Sequence, residues 1–255
     1  MQPPIALLTD FGESDPFVGV MKGVILSRAP KASIIDLTHR IPPQDVRLAA
    51  FSLMGSFAYF PRGTIFVCVV DPGVGSGRRI LWARTKTHQF LAPDNGLLSW
   101  VGIKEPFREV RAVENRRLFL KNVSATFHGR DVFAPVAAAL ARGAPSGSLG
   151  SKAGSWQSLD FPRPRRSGDK ALGCVLAIDR FGNAVTNLTP GDVGNDAAFR
   201  FRGRGLGGLK PHYSAVKAGE PLAIVGSFGF IELSVREGSF ASSCGARAGD
   251  PVEAA

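Results

Sequence analysis

The sequence predicts an α/β protein, with an N-terminal α/β/α domain whose sheet is mostly parallel and a smaller C-terminal β-barrel domain. Apolar runs in the first third alternate between strand and helix periods, which is typical of a parallel sheet covered by helices. The last third holds short β-type runs punctuated by glycine and proline. The intervening stretch is rich in Gly, Ser, Pro and Arg, so we expect domains at 1–148 and 169–255, joined by a linker at 149–168.

The first elements are a strand and a helix. Residues 5–9 form an apolar run that ends at Asp10, and Asp15 stands as a predicted N-cap before Pro16 at the first helical position. The helix continues to about Arg28, and its apolar face carries Phe17, Val20, Met21, Val24 and Ile25. This pattern predicts a helix that packs against the sheet.

Two more strands continue the same alternation. We expect a strand at 32–37, a helix capped by Asp45, and a buried strand at 64–70 that ends at Asp71. Strands linked by helices in this order form a parallel sheet with right-handed crossovers. Asp10 and Asp71 therefore lie at the same carboxyl edge, where open α/β sheets bind ligands.

The loop that follows the third strand has the sequence DPGVGSGRR, residues 71–79. Its glycines allow close approach of the backbone to a ligand, and Asp71 with Arg78 can position a water molecule or a proton. A dinucleotide fingerprint needs G-x-G-x-x-G before a helix, but Arg78 stands at the third glycine and 79–85 alternates like a strand. The loop is therefore predicted to form half of an active site and not a phosphate cradle.

A third polar cluster spans 126–131 (TFHGRD). Asp131 is the predicted N-cap of an Ala-rich helix at 132–142, which places His128 in a loop just before that helix. Farther along, short β-type runs at 171–178, 184–188, 221–225 and 230–235 predict the strands of the barrel.

Composition restricts the partners. The net charge is +10, but the arginines are spread along the chain without a stacking-aromatic motif, so we predict a solvated basic surface and no nucleic-acid partner. No apolar run approaches a membrane span and the N-terminus lacks a signal pattern, so we expect a cytoplasmic protein without membrane contacts. Cys68, Cys174 and Cys244 are scattered, which is typical of free thiols in that compartment.

A metal site can be imagined from Asp36, His39 and Asp45. His39 has no second histidine nearby in the sequence, so a hydrogen bond at the end of a strand is the favoured role. We predict that the protein requires no metal and no other cofactor.

Five ordered motifs resemble those of the S-adenosyl-L-methionine (SAM) hydroxide adenosyltransferases, relatives of the chlorinating and fluorinating enzymes that use the same substrate. They are Thr9-Asp10-Phe11-Gly12, Asp71-Pro72-Gly73-Val74-Gly75, Ala92-Pro93-Asp94-Asn95-Gly96-Leu97-Leu98, Phe127-His128-Gly129-Arg130-Asp131 and Asp179-Arg180-Phe181-Gly182-Asn183. The resemblance runs nearly end to end. It implies an α/β domain followed by a β-barrel, and a homotrimer with substrate held between neighbouring subunits.

The resemblance implies that the chain hydrolyses SAM to adenosine and L-methionine, by in-line attack of water on the ribose C5′. The family's catalytic triad falls on Asp71, Arg78 and His128. The residues that the resemblance places against the substrate are Asp10 for the ribose hydroxyls, Asp15 and Asp179 for the methionine ammonium, Asn183 for adenine, and Tyr213, Ser227 and Glu232 for the rest of the pocket.

Two other functions share these motifs. A SAM-dependent halogenase is disfavoured because Asp71 would repel a halide, and because Gln44 and Gly129 replace residues of the halogenases. A non-catalytic protein that senses SAM or adenosine would keep the pocket but would not need Arg78 or His128.

Overall fold

The structure is a computed structural model, and it describes residues 2–194 and 196–255. The chain divides into two compact units, Met1–Asp160 and Phe161–Ala255. The division falls inside 149–168, the stretch that the sequence predicts as a linker. Within the described part of the chain, no helix combines the length and apolarity needed to cross a membrane.

The N-terminal unit is built on one six-stranded sheet. Its strands are β1 (Ile5–Thr9), β2 (Ile34–Thr38), β3 (Ile65–Val69), β4 (Ile80–Arg84), β5 (Gln89–Pro93) and β6 (Glu109–Ala112). They lie in the order β2-β1-β3-β5-β4-β6. The first four in this order run parallel, whereas β4 is antiparallel to β5 and β6. The prediction of a mostly parallel sheet is confirmed.

Helices cover both faces of this sheet. They are α1 (Phe17–Arg28), α2 (Val46–Ser56), α3 (Ser99–Lys104) and α4 (Ala134–Ala141). On one face, Ile5 and Leu7 of β1 pack in a core with α1 and α4, and on the other Ala6 and Leu8 pack with α2 and α3. Because successive strand residues point to opposite faces, an unbroken apolar run such as 5–8 is what a doubly covered strand requires.

The sequence prediction for α1 needs correction. Pro16 occupies the cap position and no side chain caps the helix, so the prediction of Asp15 as N-cap is wrong; α1 begins one residue later than expected. The predicted apolar face is also only partly buried, because Phe17 and Val20 are exposed while Val18 is buried. In contrast, Asp45 caps α2 as predicted, accepting a hydrogen bond of 2.8 Å from the Leu48 N–H.

The C-terminal unit contains a closed seven-stranded barrel. The elements of this unit are β7 (Arg165–Ser167), β8 (Lys170–Ile178), β9 (Ala184–Thr186), β10 (Ala198–Phe201), β11 (Arg204–Lys210), β12 (Pro221–Val225), β13 (Ile231–Val235), the short helix α5 (Phe240–Cys244) and β14 (Pro251–Ala254). The order is β14-β10-β11-β12-β13-β9-β8, β14 pairs back onto β8, and β7 extends the sheet beyond β8. The predicted barrel is confirmed, although the sequence patterns did not predict the Gly-rich strand β11.

Candidate active site

The residues after β1 and β3 share one edge of the sheet. Thr9 is paired with Val69 in parallel register, which brings Asp10 and Asp71 to neighbouring positions beyond the strand ends. The loop after Asp71 folds back through two turns, in which the N–H groups of Val74 and Ser76 bond the carbonyls of Asp71 and Gly73. This return directs Arg78 towards the aspartate seven residues before it.

Asp71 and Arg78 form a buried, two-pronged ion pair. The Arg78 Nε donates to Asp71 Oδ1 at 2.9 Å, and its Nη2 donates to Asp71 Oδ2. The side chain of Arg78 is only 10% exposed and that of Asp71 only 5%. A guanidinium held through two of its nitrogens in this way has a defined orientation.

His128 joins the same ion pair. Arg78 Nη2 lies 2.8 Å from His128 Nδ1. Because an arginine can only donate, Nδ1 must accept, and the neutral ring then carries its hydrogen on Nε2. Burial and the Arg78 charge lower the pKa of His128 below its usual 6.5, against the opposing effects of Asp71 and Asp131. The three groups that the sequence predicts as a triad are therefore in direct contact.

A π-helical turn, Gly129–Phe133, positions His128 just ahead of α4. Asp131 lies inside this turn, so its predicted role as N-cap of the helix is wrong. Its buried carboxylate instead accepts a hydrogen bond from the Ser124 N–H at 2.8 Å and pairs with Arg130. The helical region therefore starts at Gly129, three residues earlier than the sequence predicts, and His128 lies immediately before it.

A cavity of about 370 Å³ opens over this group. It is lined by Asp10, Phe11, Phe17, Pro43, Gln44, Val69, Asp71, Pro72, Val74, Thr126, Phe127, His128 and Gly129. Asp10 Oδ2 accepts a hydrogen bond of 2.8 Å from the Gln44 N–H, where the Gln44 backbone has a positive φ of 68°. This contact holds the Asp10 carboxylate in place at the rim.

Three aromatic rings form one wall of the cavity. The ring centroids of Phe11, Phe17 and Phe127 are 5.1–5.9 Å apart. A Cβ at Gly129 would come within 3.1–3.3 Å of Met21, Phe127 and Phe11, so glycine gives these rings their space. The sequence analysis assigned Phe17 to the core face of α1 and did not predict this wall. The signal for the wall was an aromatic residue in the first turn of a helix that follows the Asp10 motif.

A chain of hydrogen bonds supports the Asp10 turn from behind. Buried His39 contacts Thr9 Oγ1 through Nδ1 at 2.9 Å and Asp36 through Nε2 at 3.0 Å. Its carbonyl also accepts from the Gly12 N–H at 2.8 Å. His39 therefore makes the strand-end hydrogen bonds that the sequence favoured. No group of three potential metal-binding side chains occurs among the described residues.

We expect Gly75→Ala to destabilise the protein while Gly77→Ala in the same loop leaves its stability nearly unchanged. Gly75 has a φ of 78°, and a Cβ there would lie 2.2 Å from the Ala125 carbonyl oxygen, whereas nothing lies within 4 Å of a Cβ at Gly77. A left-handed alanine alone costs about 1–2 kcal/mol. Thermal melting of both variants checks this, and equal melting temperatures would contradict the close contact between these two loops.

The other predicted substrate contacts are not among the residues that line this cavity. Asp15 is exposed ahead of α1 and is absent from the described lining of the cavity. In the C-terminal unit, Asp179 accepts a 2.8 Å hydrogen bond from the Asn183 side chain, while the Tyr213 hydroxyl lies 3.5 Å from Glu232. Burial and the nearby Asp179 raise the pKa of Glu232. Ser227 is exposed in the turn between β12 and β13. The structure thus groups Asp179, Asn183, Tyr213 and Glu232 within one unit.

Family models match both units of the chain. The SAM hydroxide adenosyltransferase N-terminal domain matches residues 5–150, and the C-terminal domain of the same family matches 173–253. The chain belongs to the SAM hydroxide adenosyltransferase family. The motifs on which the sequence resemblance rested fall within these two ranges.

Curated proteins resemble the chain over nearly its whole length. An (R)-S-adenosyl-L-methionine hydrolase from Thermus thermophilus is 39% identical over 98% of each chain, and one from Salinispora tropica is 36% identical over 97% of this chain and 96% of its own. A fluorinase from Nocardia brasiliensis is more distant, at 28% identity over 99% and 96%.

Solved structures also resemble this adenosyltransferase fold. An uncharacterized conserved protein from Thermotoga maritima has a TM-score of 0.93 at 38% identity, covering 98% of this chain and 99% of its own. A conserved hypothetical protein from Thermus thermophilus has a TM-score of 0.83 at 36% identity, covering 99% and 100%. The fold is therefore the one that the sequence predicts.

Proposed function

We propose that this protein is an (R)-S-adenosyl-L-methionine hydrolase that forms adenosine and L-methionine. The observation that carries the proposal is the hydrogen-bonded group of Asp71, Arg78 and His128 beside a cavity rimmed by Asp10. The hydrolase names of the more similar relatives support the reaction, and favour it over that of the more distant fluorinases.

The chemistry needs few catalytic groups. Water attacks the ribose C5′ in line with the bond to sulfur; the C–O bond forms as the C–S bond breaks, and methionine leaves as a neutral thioether. The sulfonium needs no acid to assist its departure. Water is a poor nucleophile, so it must be oriented and must lose one proton as the new bond forms.

The hydrogen-bond directions suggest a division of these tasks. His128 uses Nδ1 to accept from Arg78, so in this proposal it is the Nε2–H that donates to the water oxygen and orients it. Asp71, an acceptor with lone pairs beyond those that Arg78 occupies, takes the proton. Arg78 stabilises the negative charge as it passes from the water to the carboxylate.

The remaining predicted residues hold the substrate in this proposal. Asp10 binds the ribose hydroxyls, because a carboxylate offers an acceptor to each. Asp15 and Asp179 attract the methionine ammonium, and Asn183 pairs with the adenine edge because an amide both donates and accepts. Tyr213, Ser227 and Glu232 complete the pocket.

We also propose a homotrimer with its active sites at the subunit interfaces, as the family resemblance implies. Cys68, Cys174 and Cys244 are not paired in disulfides, which fits a cytoplasmic location. The reaction consumes only SAM and water, so we expect it to proceed without metal or other cofactor.

The decisive experiment is incubation with each sulfur epimer of SAM, following adenosine and methionine by chromatography. We expect equal amounts of both products from the (R) epimer, with a chelator present and with chloride added. Binding without product would favour the sensor, and 5′-chloroadenosine would favour a halogenase. Activity lost on chelation and restored by a divalent ion would contradict the metal-free mechanism.

We expect Asp10→Asn to raise KM about tenfold or more with a smaller change in kcat. The amide removes one of two charged acceptors for the ribose hydroxyls, and hydrogen bonds to charged groups contribute about 1.5–3 kcal/mol. Steady-state kinetics measures the split between the two parameters. An unchanged KM would reject the ribose role of Asp10.

A further inference from the structure

A second cavity, of about 880 Å³, lies in the N-terminal unit and is strongly cationic. His128 lines both cavities, and Arg78 lines this one. The charged side chains of its lining are Arg28, Arg78, Arg79, Arg116, Arg117 and Lys121, opposed by the single carboxylate of Glu114. The proposed hydrolysis makes no use of most of these groups.

Three of the cations are already engaged. Arg78 is paired with Asp71, and Arg79 is paired with Asp94, which does not line the cavity. Arg28 donates to the backbone carbonyls of Leu118 and Phe119 at 2.6 and 3.1 Å. The Glu114 carboxylate accepts from the Ser151 N–H at 2.9 Å, so part of its capacity is also taken.

The other three cations, Arg116, Arg117 and Lys121, make no ion pair with any described residue. They are exposed on and beside a single 3₁₀ turn, Arg116–Leu118. Arg116 and Arg117 are adjacent and Lys121 follows four residues later, so the three positive charges repel one another. An anion in the cavity would relieve that repulsion.

The backbone that carries these cations is held firmly. The Asn115 side chain accepts from the Arg117 N–H at 3.1 Å and donates to the Ser148 carbonyl at 2.8 Å. The Arg28 bonds to the next two carbonyls fix the far side of the turn. The charges are thus presented on a preorganised segment, which lowers the entropic cost of binding.

We propose that this cavity is a binding site for a multiply charged phosphate anion, either a free polyphosphate or the phosphate chain of a nucleotide. Arg116, Arg117 and Lys121 supply unpaired donors that match phosphate oxygens. Phe119, Leu120 and Val123 supply an apolar wall for a ligand body.

Calorimetric titration tests the site directly and does not depend on turnover. The probes are inorganic tripolyphosphate and UTP at about 0.15 M salt; UTP is chosen because an adenine nucleotide would also fit the proposed substrate pocket. We expect one site per chain for both. Tighter binding of UTP than of tripolyphosphate would indicate that the apolar wall contacts the nucleoside part of a nucleotide. Equal binding would indicate that the site binds only the phosphates.

The matched variants separate this site from general attraction to a basic protein. Arg116→Ala/Arg117→Ala/Lys121→Ala should weaken binding about tenfold or more, as the sum of three exposed charge contacts. Arg163→Ala/Arg165→Ala/Arg166→Ala removes the same charge from an exposed stretch of the C-terminal unit and should leave binding nearly unchanged. Val123→Glu, at a 45% exposed position, should also weaken it. Equal losses in the two triple variants, or no binding to the native chain, would overturn the proposal.

Discussion

Asp71→Asn should reduce the turnover of SAM by about a hundredfold or more, with a much smaller change in substrate affinity. The amide has nearly the shape of the carboxylate and can still accept from Arg78 with its oxygen. It carries no negative charge and cannot take a proton from water. Positioned acid–base groups commonly contribute two to four orders of magnitude in rate. Single-turnover kinetics with saturating substrate, followed by chromatography, measures the effect on the chemical step.

Glu109→Gln is the matched control for this variant. Glu109 is also a partly buried carboxylate of the N-terminal unit, paired with Arg84 and Arg111. It is absent from the described linings of both cavities. Thermal melting of both variants reports the cost of neutralising an ion-paired acid. If Asp71→Asn turns over at the native rate, Asp71 is not the proton acceptor.

The second large effect concerns His128 and pH. We expect native turnover to fall as the pH drops through the His128 pKa, which burial and Arg78 hold below 6.5. Protonation places a hydrogen on Nδ1, which then faces the Arg78 donor instead of accepting from it. The ring and the guanidinium would repel each other, and the Nε2–H would lose its orientation. Turnover should therefore be on a plateau above pH 6.5 and should decline below it.

His128→Asn and His128→Ala distinguish this explanation from general acid unfolding. Neither side chain titrates near neutral pH, so both variants should lose the acid limb that His128 causes. We expect each to turn over about a hundredfold more slowly than the native chain on the plateau, because the water loses the donor that orients it. An acid limb unchanged in both variants would assign it to another group. Circular dichroism across the same pH range controls for unfolding.

The inferred anion site lies on the other side of the same histidine. Because His128 lines both cavities, the proposed polyphosphate would sit near the neutral ring and the Arg78 guanidinium. The pH profile of turnover and the anion titration should therefore be measured at the same ionic strength, since interactions between exposed charges are screened beyond about 10 Å at 0.1 M salt.

The amino-acid sequence alone determined the architecture and half of the site. Uninterrupted apolar runs that alternate with helical periods specify a covered parallel sheet, and parallel register places Asp10 and Asp71 together because both strands end at one edge. The Asp45 cap was likewise visible, since a cap depends only on residues within a few positions of it. The family resemblance assigned Arg78 and His128 to the same site as Asp71.

Only the tertiary structure decided how these parts meet. The contact between Arg78 and His128 joins residues fifty positions apart, and no local period encodes such a separation. The π-helical turn that presents His128 depends on Asp131 being satisfied by Ser124 and Arg130 rather than by a helix end. Phe17 was predicted to be a core residue because periodicity shows only which helix face a side chain shares. Packing decides whether that side chain contacts the sheet or, as here, other aromatic rings.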